Sequence, residues 1–585
     1  MFDKQGRRRS GIALLVSMVL GSCAMASAPL SSAPSGEAMV AAANPHAVDA
    51  AIQILREGGS AVDAAIAAEA VLGLVEPQSS GIGGGGFMMF YDGGSHAMQA
   101  YDGRERAPAG ATPAMFLDDQ GQPMNFLDAR ASGRSIGTPL EVAMLKLAHD
   151  DHGRLPWARL FEPAIALAEN GFEISPRMAR YVAFSGGIER LKQDPQARAY
   201  FFDARGNPWP AGHLLKNPAY AATLRAVAAQ GPAALTSGDI ANDIVATAQR
   251  APRAGTLTLA DLQNNHARRI DPVCGGYRTY RVCVPSPPSS GNATVEILGL
   301  YARARPHPAG ADNADDWSAL LWASRLAYAD RDHYMADDKF VPVPTRELIA
   351  SSYLDQRARL IDVAHAPTNT PPGTPTTNEL RNLWGHDWTD DPGTSHLSIV
   401  DAWGNAVAMT STVESPFGAQ RMVHGFMLNN QLTDFSFAPT INGRPVANAV
   451  APGKAPRSSM SPEIIVDGRG RLVLVGGSPG GSSIINFVAR ATIAILDWNM
   501  SPQDAINQGN VVARSAPVTV EDTRMPAGVL DALKARGWTF RTSQLGEESG
   551  MHFIRVTPQG LVGGADPRRE GVVQSIPAPA PVTAH

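Results

Sequence analysis

Gly393-Thr394-Ser395-His396-Leu397-Ser398-Ile399-Val400-Asp401 is followed by Ala402-Trp403-Gly404 and then by Asn405 to Thr412. Both arms alternate between apolar and polar residues, and a short glycine-containing turn separates them. A period of two belongs to a strand with two unlike faces, so the stretch predicts a β-hairpin. The pattern returns at Glu463 to Val466 and Leu472 to Val475, which flank Asp467-Gly468-Arg469-Gly470. Gly476-Gly477-Ser478-Pro479-Gly480-Gly481 then leads into an apolar helix expected from Ser482 to Trp498.

Toward the N-terminus the periodicity becomes helical. Pro45 opens a segment with Val48, Ala51, Ile52 and Leu55 at helical spacing, stopped by Gly58-Gly59. Ser60 reads as the N-cap of a second helix, Ala61 to Val75, apolar enough to be buried nearly all round and ended by Glu76-Pro77. Further helices are expected at Pro139 to His149, Trp157 to Asn170 and Trp317 to Tyr328, with a strand at Phe87 to Tyr91. Helices early, paired strands late and a helix packed after them predict an α+β sandwich rather than a doubly wound sheet. Ala366 to Thr377, rich in Pro and Thr, reads as an exposed loop.

The 585 residues carry 50 Lys+Arg against 55 Asp+Glu, a net charge of −5, which argues against a nucleic-acid partner. With 44% hydrophobic residues the chain can fill a sizeable core. Residues 1–28 stand apart. Lys4, Arg7, Arg8 and Arg9 precede an apolar run from Gly11 to Leu20, and small residues follow, the layout of an export signal. A soluble periplasmic or secreted product is expected, with Leu20-Gly21-Ser22-Cys23 offering lipid attachment at Cys23 as the alternative. Cys274 and Cys283 flank Gly275-Gly276-Tyr277, where a hairpin could bring them together as a disulfide in an oxidising compartment. Two free thiols remain open, and a metal pair has neither further cysteines nor suitably spaced histidines to support it.

Gly81-Ile82-Gly83-Gly84-Gly85-Gly86 fits a dinucleotide fingerprint on paper. That motif needs a strand before it and a helix after it, whereas here a helix precedes and a strand follows. Close backbone packing near a site is the better reading. His149, His152 and His396 are scattered without metal-binding spacing, so neither metal nor organic cofactor is expected. Thr394, directly after Pro392-Gly393, sits where an N-terminal nucleophile would. A threonine hydroxyl needs a base, and its own α-amine serves once the Gly393–Thr394 bond is cut. From spacing alone, a turn entering a strand explains the same residues. Gly480-Gly481 at a strand-to-helix junction suits an oxyanion hole, with a tight turn as its plain alternative.

Together these segments resemble the gamma-glutamyltransferase family of N-terminal-nucleophile hydrolases. The resemblance runs in family order through Glu76-Pro77-Gln78-Ser79-Ser80-Gly81-Ile82-Gly83-Gly84-Gly85-Gly86-Phe87-Met88, Arg104-Glu105-Arg106-Ala107-Pro108, Thr394-Ser395-His396, Leu428-Asn429-Asn430-Gln431-Leu432-Thr433-Asp434-Phe435, Pro456-Arg457-Ser458-Ser459-Met460-Ser461-Pro462 and Gly477-Ser478-Pro479-Gly480-Gly481. It implies a four-layer αββα sandwich made from a self-cleaved precursor: a large subunit of residues 29–393 and a small catalytic subunit of residues 394–585, held as one heterodimeric unit.

The resemblance also implies roles. Thr394 would attack a γ-glutamyl amide such as glutathione, form a γ-glutamyl ester and pass it to water, an amino acid or a peptide, while Thr412 positions the nucleophile. Arg104, Ser458 and Ser459 would hold the donor α-carboxylate, Gln431 and Asp434 its α-ammonium, and Gly480 with Gly481 the oxyanion. Two departures stand out. Glu414 replaces the Asn of many bacterial members and is expected to bind the donor. The segment from Phe437 to Pro452 is shorter than the family's lid and lacks its tyrosine, which predicts an open cleft. The alternatives are a glutaryl-type β-lactam acylase of the same superfamily, and a catalytically silent protein that binds γ-glutamyl peptides.

Overall fold

The computed structural model describes residues 36–184, 190–376, 380, 383, 393–543 and 549–578. The segment expected to direct export, with Cys23, as well as Pro392 and Thr377 at the end of the expected loop, lie outside them. The hairpin read from the sequence is present as Ser395–Val400 and Ala406–Thr412, paired antiparallel with Val400 opposite Ala406. It forms the centre of a seven-stranded antiparallel sheet in the order Val572–Ile576, Ala38–Ala42, Ser395–Val400, Ala406–Thr412, Gly85–Tyr91, Met98–Asp102, Arg268–Ile270. A six-stranded antiparallel sheet runs Gly560–Ala565, His552–Thr557, Leu472–Gly477, Glu463–Val466, Tyr280–Val284, Val273–Tyr277.

The period of two sorts the strand residues into layers. Val40, Met88, Phe90, Ile399, Val407 and Met409 face the helices Pro45–Arg56 and Ala61–Val75 in one core. Met39, Ala41, Met89, Val400 and Ala408 face the other way, where Ile464, Val466, Val475 and Ile554 of the second sheet meet them. Ile465, Leu474 and Phe553 point out of that second sheet onto the helices Gly291–Ala304, Ala314–Tyr334 and Ile484–Leu496. The result is helix, sheet, sheet, helix, the expected αββα sandwich.

Ser60 caps Ala61–Val75 as read, accepting from the Asp63 N–H, while Asp63 accepts in return from the Ser60 N–H at 2.9 Å. Every residue of that helix is buried. Several boundaries differ. The helix expected from Pro139 runs Glu141–His152, and Trp157–Phe161 is a 3₁₀ turn before Glu162–Asn170. Trp317 to Tyr328 is the middle of the longer Ala314–Tyr334, and Ser482 to Trp498 is a 3₁₀ turn at Gly481–Ser483 followed by Ile484–Leu496. The expected separation of early helices from late strands is also incomplete. Ala38–Ala42 and Val572–Ile576, from the two ends of the described chain, pair as neighbours in the first sheet.

Cys274 and Cys283 stand opposite each other across the antiparallel pair Val273–Tyr277 and Tyr280–Val284, and they are bonded. Asn292-Ala293-Thr294 fits the pattern of a glycosylation acceptor, but Asn292 is buried within a helix.

Candidate active site

The site is assembled at one end of the central hairpin. Thr394 immediately precedes the strand Ser395–Val400 and Thr412 ends its partner, so pairing alone sets the two hydroxyls side by side. Thr394 Oγ1 donates to Thr412 Oγ1 at 3.2 Å, and the Glu414 N–H donates to the same oxygen at 2.8 Å. With its lone pairs taken, Thr412 spends its own proton on the Gly393 carbonyl oxygen, 3.1 Å away. The Thr394 carbonyl accepts from Arg569 Nη1 at 2.6 Å. Both ends of the nucleophile are therefore fixed.

The glycine at 393 has a steric cause. A Cβ there would lie 1.7 Å from the Glu414 carbonyl oxygen, so no other residue can bring the chain this close to the Thr412–Glu414 turn. Glu414 itself has φ of 81°, an uncommon conformation for a non-glycine residue and one found disproportionately at functional sites. Its carboxylate accepts from Ser415 Oγ at 2.6 Å and Asn430 Nδ2 at 2.7 Å. The glycine run packs as anticipated. A Cβ at Gly84 would lie 2.0 Å from the Thr412 carbonyl, so the run gives the nucleophile's partner a close backbone neighbour.

A cleft of about 410 Å³, open to solvent, gathers Arg104, Gly393, Thr394, Thr412, Glu414, Gln431, Asp434, Ser458, Ser459 and Gly481 on its wall. Gly480 precedes Gly481, with φ values of 134° and 55°, at the turn that starts the helix Ile484–Leu496. Every residue expected at the site is thus in the cleft or beside it.

The electrostatics of the wall are those of a zwitterion receptor. Arg104 is buried, its Nη2 paired with Asp434, while Nε and Nη2 also donate to the carbonyls of Pro456 and Arg457 at 3.2 and 2.9 Å. Gln431 Nε2 donates to Asp434 Oδ2 at 3.0 Å, leaving Gln431 Oε1 buried without a partner among the described residues. A buried acceptor without a donor calls for one, and an ammonium group supplies it. Burial pushes the neighbouring Glu105 carboxyl up to about 8, so at neutral pH it is uncharged and leaves the Arg104 charge to Asp434 and to a ligand.

The loop after Asp434 is tied down from below. Asn448 Nδ2 donates to the Asp434 carbonyl at 2.7 Å, and buried Lys454 donates to the carbonyls of Ala447 and Ala449 at 2.6 and 2.9 Å. Within it Phe437 stacks on Phe116 at 4.6 Å, and Thr440–Ile441 and Arg444–Pro445 form a small exposed hairpin.

Sequence reasoning missed several contributors. Arg331 and Arg457 line the cleft, and Arg569 holds the Thr394 carbonyl. Asn429 joins the glycine run to Gln431, donating to the Gly83 carbonyl at 2.8 Å and accepting from the Gln431 N–H at 3.1 Å. Asn429 and Asn430 lay within a quoted motif. Arg331 lay past the expected helix end, where Arg-Asp-His reads as a solvated terminus.

The chain is similar to known proteins along most of its length. The model of the Gamma-glutamyltranspeptidase family matches residues 47–576. The chain is 34% identical to the Glutathione hydrolase proenzyme of Bacillus subtilis (strain 168), over 92% of each chain. It is 32% identical to the Acylase ACY 1 proenzyme of Pseudomonas sp. (strain SE83), over 90% of this chain and 91% of that protein. A crystal structure of cephalosporin acylase from Bacillus halodurans superposes with a TM-score of 0.78 at 24% identity, covering 94% of this chain and 98% of that one, and so shares the fold. A family match over residues 47–576, with relatives of this identity along nearly the whole chain, is decisive: the chain belongs to the gamma-glutamyltranspeptidase family.

Proposed function

We propose that the protein is an exported, self-processing enzyme that hydrolyses and transfers γ-glutamyl groups, with glutathione as a representative donor. The observation that carries this reading is that Asp434, held by Arg104 and Gln431, lines the same cleft as the Thr394–Thr412 hydroxyl pair. A guanidinium beside a carboxylate is the complement of an amino acid head group, whose carboxylate and ammonium would replace the internal ion pair with two external ones.

Processing follows from the Gly393 carbonyl. Thr412 polarises it, Thr394 Oγ1 attacks its carbon, and the amide C–N bond breaks to leave an ester on Oγ1 and a free amine on Thr394. Water then cleaves that ester, freeing residues 394–585 as a subunit that stays with residues 29–393. In turnover the Thr394 amine takes the hydroxyl proton as Oγ1 attacks the donor γ-carbonyl. The N–H groups at Gly480 and Gly481 receive the oxyanion, and the leaving amine departs with a proton. Water or an amine acceptor then attacks the γ-glutamyl ester and restores the hydroxyl. Ser458 and Ser459 join Arg104 on the α-carboxylate, and Glu414 faces the ammonium.

The short lid favours bulky γ-glutamyl compounds and water as acceptor. The basic, apolar and small-residue sequence of residues 1–28 supports export to the periplasm or medium. The acylase reading shares the fold, but a glutaryl side chain has no ammonium for Asp434 and Gln431. Steady-state turnover of a γ-glutamyl anilide against a glutaryl anilide tests the choice: the γ-glutamyl compound is expected to be preferred at least tenfold, and a glutaryl preference would overturn the assignment.

A further inference from the structure

The turn Asp566-Pro567-Arg568-Arg569 follows the strand Gly560–Ala565 and sends its two guanidiniums to different places. Arg568 Nε donates to Glu521 Oε1 at 2.7 Å. Arg569, 7% exposed, donates from Nε to the Ser549 carbonyl at 3.1 Å and from Nη1 to the Thr394 carbonyl at 2.6 Å. Only Cα and the carbonyl carbon separate that oxygen from the Thr394 nitrogen, so the donating Nη1 stands at most about 6 Å from the nitrogen. Before cleavage this nitrogen is an uncharged amide. Afterwards it is a primary amine, whose ordinary pKa of about 7.7–8.0 would leave most of it protonated at neutral pH and unable to accept the hydroxyl proton. A like charge nearby disfavours the ammonium form, the more so away from bulk water.

Arg569 supplies that charge. Burial, with Arg177 beside it, lowers its pKa to about 10, while Tyr181, Glu76 and Asp566 favour the charged form, so it is still a cation at neutral pH. The carboxylates around it also serve other cations. Glu76 Oε2 accepts from Arg177 Nη1 at 3.1 Å, Asp566 Oδ1 from Arg568 Nη1 at 3.1 Å, and Glu570 Oε1 from the Arg177 N–H at 3.0 Å. His552 is neutral, its pKa lowered by burial to about 3, and burial lowers His396 as well. On the cleft side, Arg104, Arg331, Arg457, Glu414 and Asp434 share the wall with Thr394. We infer that Arg569 is a positioning residue for the base: it holds the new N-terminus by the Thr394 carbonyl, and its charge keeps the amine in the neutral form that accepts the hydroxyl proton. The proton passes from Oγ1 to the nitrogen lone pair as Oγ1 bonds to the donor carbonyl carbon. This rests on the γ-glutamyl reading and names the group that tunes its base.

The test is the pH dependence of kcat/KM for a γ-glutamyl anilide, which reports acylation by the free enzyme, in wild type, Arg569→Gln and Arg569→Lys. Intact mass establishes that each protein has matured. Gln removes the charge and Lys keeps it, while the other groups around Thr394 are the same in all three. In Arg569→Gln the acidic limb is expected to move up by roughly one pH unit, about a tenfold loss near pH 6 and almost none near pH 9. In Arg569→Lys the limb is expected to stay close to that of wild type. A matured Arg569→Gln whose limb has not moved up, with any loss equal at every pH, is what a merely structural arginine gives; it overturns the inference and leaves the γ-glutamyl reading standing. If Arg569→Gln does not mature, the wild-type limb decides: it is expected below the ordinary α-amine range, and a limb within or above that range overturns the inference. A mature wild type without γ-glutamyl turnover overturns the reading itself, and this inference with it.

Discussion

The Thr412 hydroxyl lies 3.1 Å from the carbonyl oxygen of Gly393 and 3.2 Å from the hydroxyl of Thr394, so one side chain contacts both the electrophile and the nucleophile of the bond to be cut. The contact follows from hairpin register, since Ser411 pairs with Ser395 and each strand is then extended by one residue. Thr412→Val keeps the shape and removes the donor. Maturation, followed as loss of the uncut chain on denaturing gels, is expected to slow by about a hundredfold, the usual effect of deleting an oxyanion donor. Thr412→Ser is expected to restore most of the rate.

Arg104 differs from a generic cation because its fork is occupied on two edges, by Asp434 and by the carbonyls of Pro456 and Arg457. A lysine keeps the charge and loses the fork. Arg104→Lys is expected to mature normally and to raise KM for a γ-glutamyl anilide about tenfold or more, with a smaller change in kcat. An unchanged KM would remove Arg104 from the carboxylate site.

Glu463 is wholly buried on the second sheet, where it accepts from Thr492 Oγ1. Desolvation raises its pKa to about 8, from an ordinary value near 4.5. The folded chain therefore holds a proton that the unfolded chain has released, and stability falls as pH rises from about 4.5 to about 8. Glu463→Gln abolishes that dependence at this position. Relative to wild type the variant is expected to gain up to a few kcal/mol between pH 5 and pH 8, read from paired denaturant titrations. A difference independent of pH would contradict the burial argument.

The Cys274–Cys283 bond closes a short loop at the edge of the second sheet, and neither of its strands reaches the cleft. Chain-entropy arguments give a short closed loop about 2–3 kcal/mol. Cys274→Ser with Cys283→Ser is expected to lower the melting temperature by a few degrees and to leave maturation and turnover unchanged.

Much of this was legible in the chain itself. The alternation around Ser395 to Thr412 gave the central hairpin, and the uniformly apolar Ala61 to Val75 announced a helix buried on all sides. Site residues could be read because they cluster in short motifs whose chemistry is explicit. Arg331 and Arg569 could not be read in this way. Each is an arginine beside acidic or polar neighbours, which on a sequence looks like a solvated surface, and only tertiary packing turns it toward Ser459 or the Thr394 carbonyl. The outer strands were missed for a related reason. Gly560–Ala565 and Ala38–Ala42 are small-residue segments with weak alternation, and their partners lie far away in sequence.

The central claim is that Thr394 becomes an N-terminal residue and then the nucleophile. Intact mass of the purified, active protein under denaturing conditions tests it most directly, with Thr394→Ala as the control. The account predicts two species, one with the mass of residues 394–585, and a single uncut, inactive chain for Thr394→Ala. An active preparation made of one uncut chain, or a Thr394→Ala variant that still matures and turns over γ-glutamyl anilide, would contradict it.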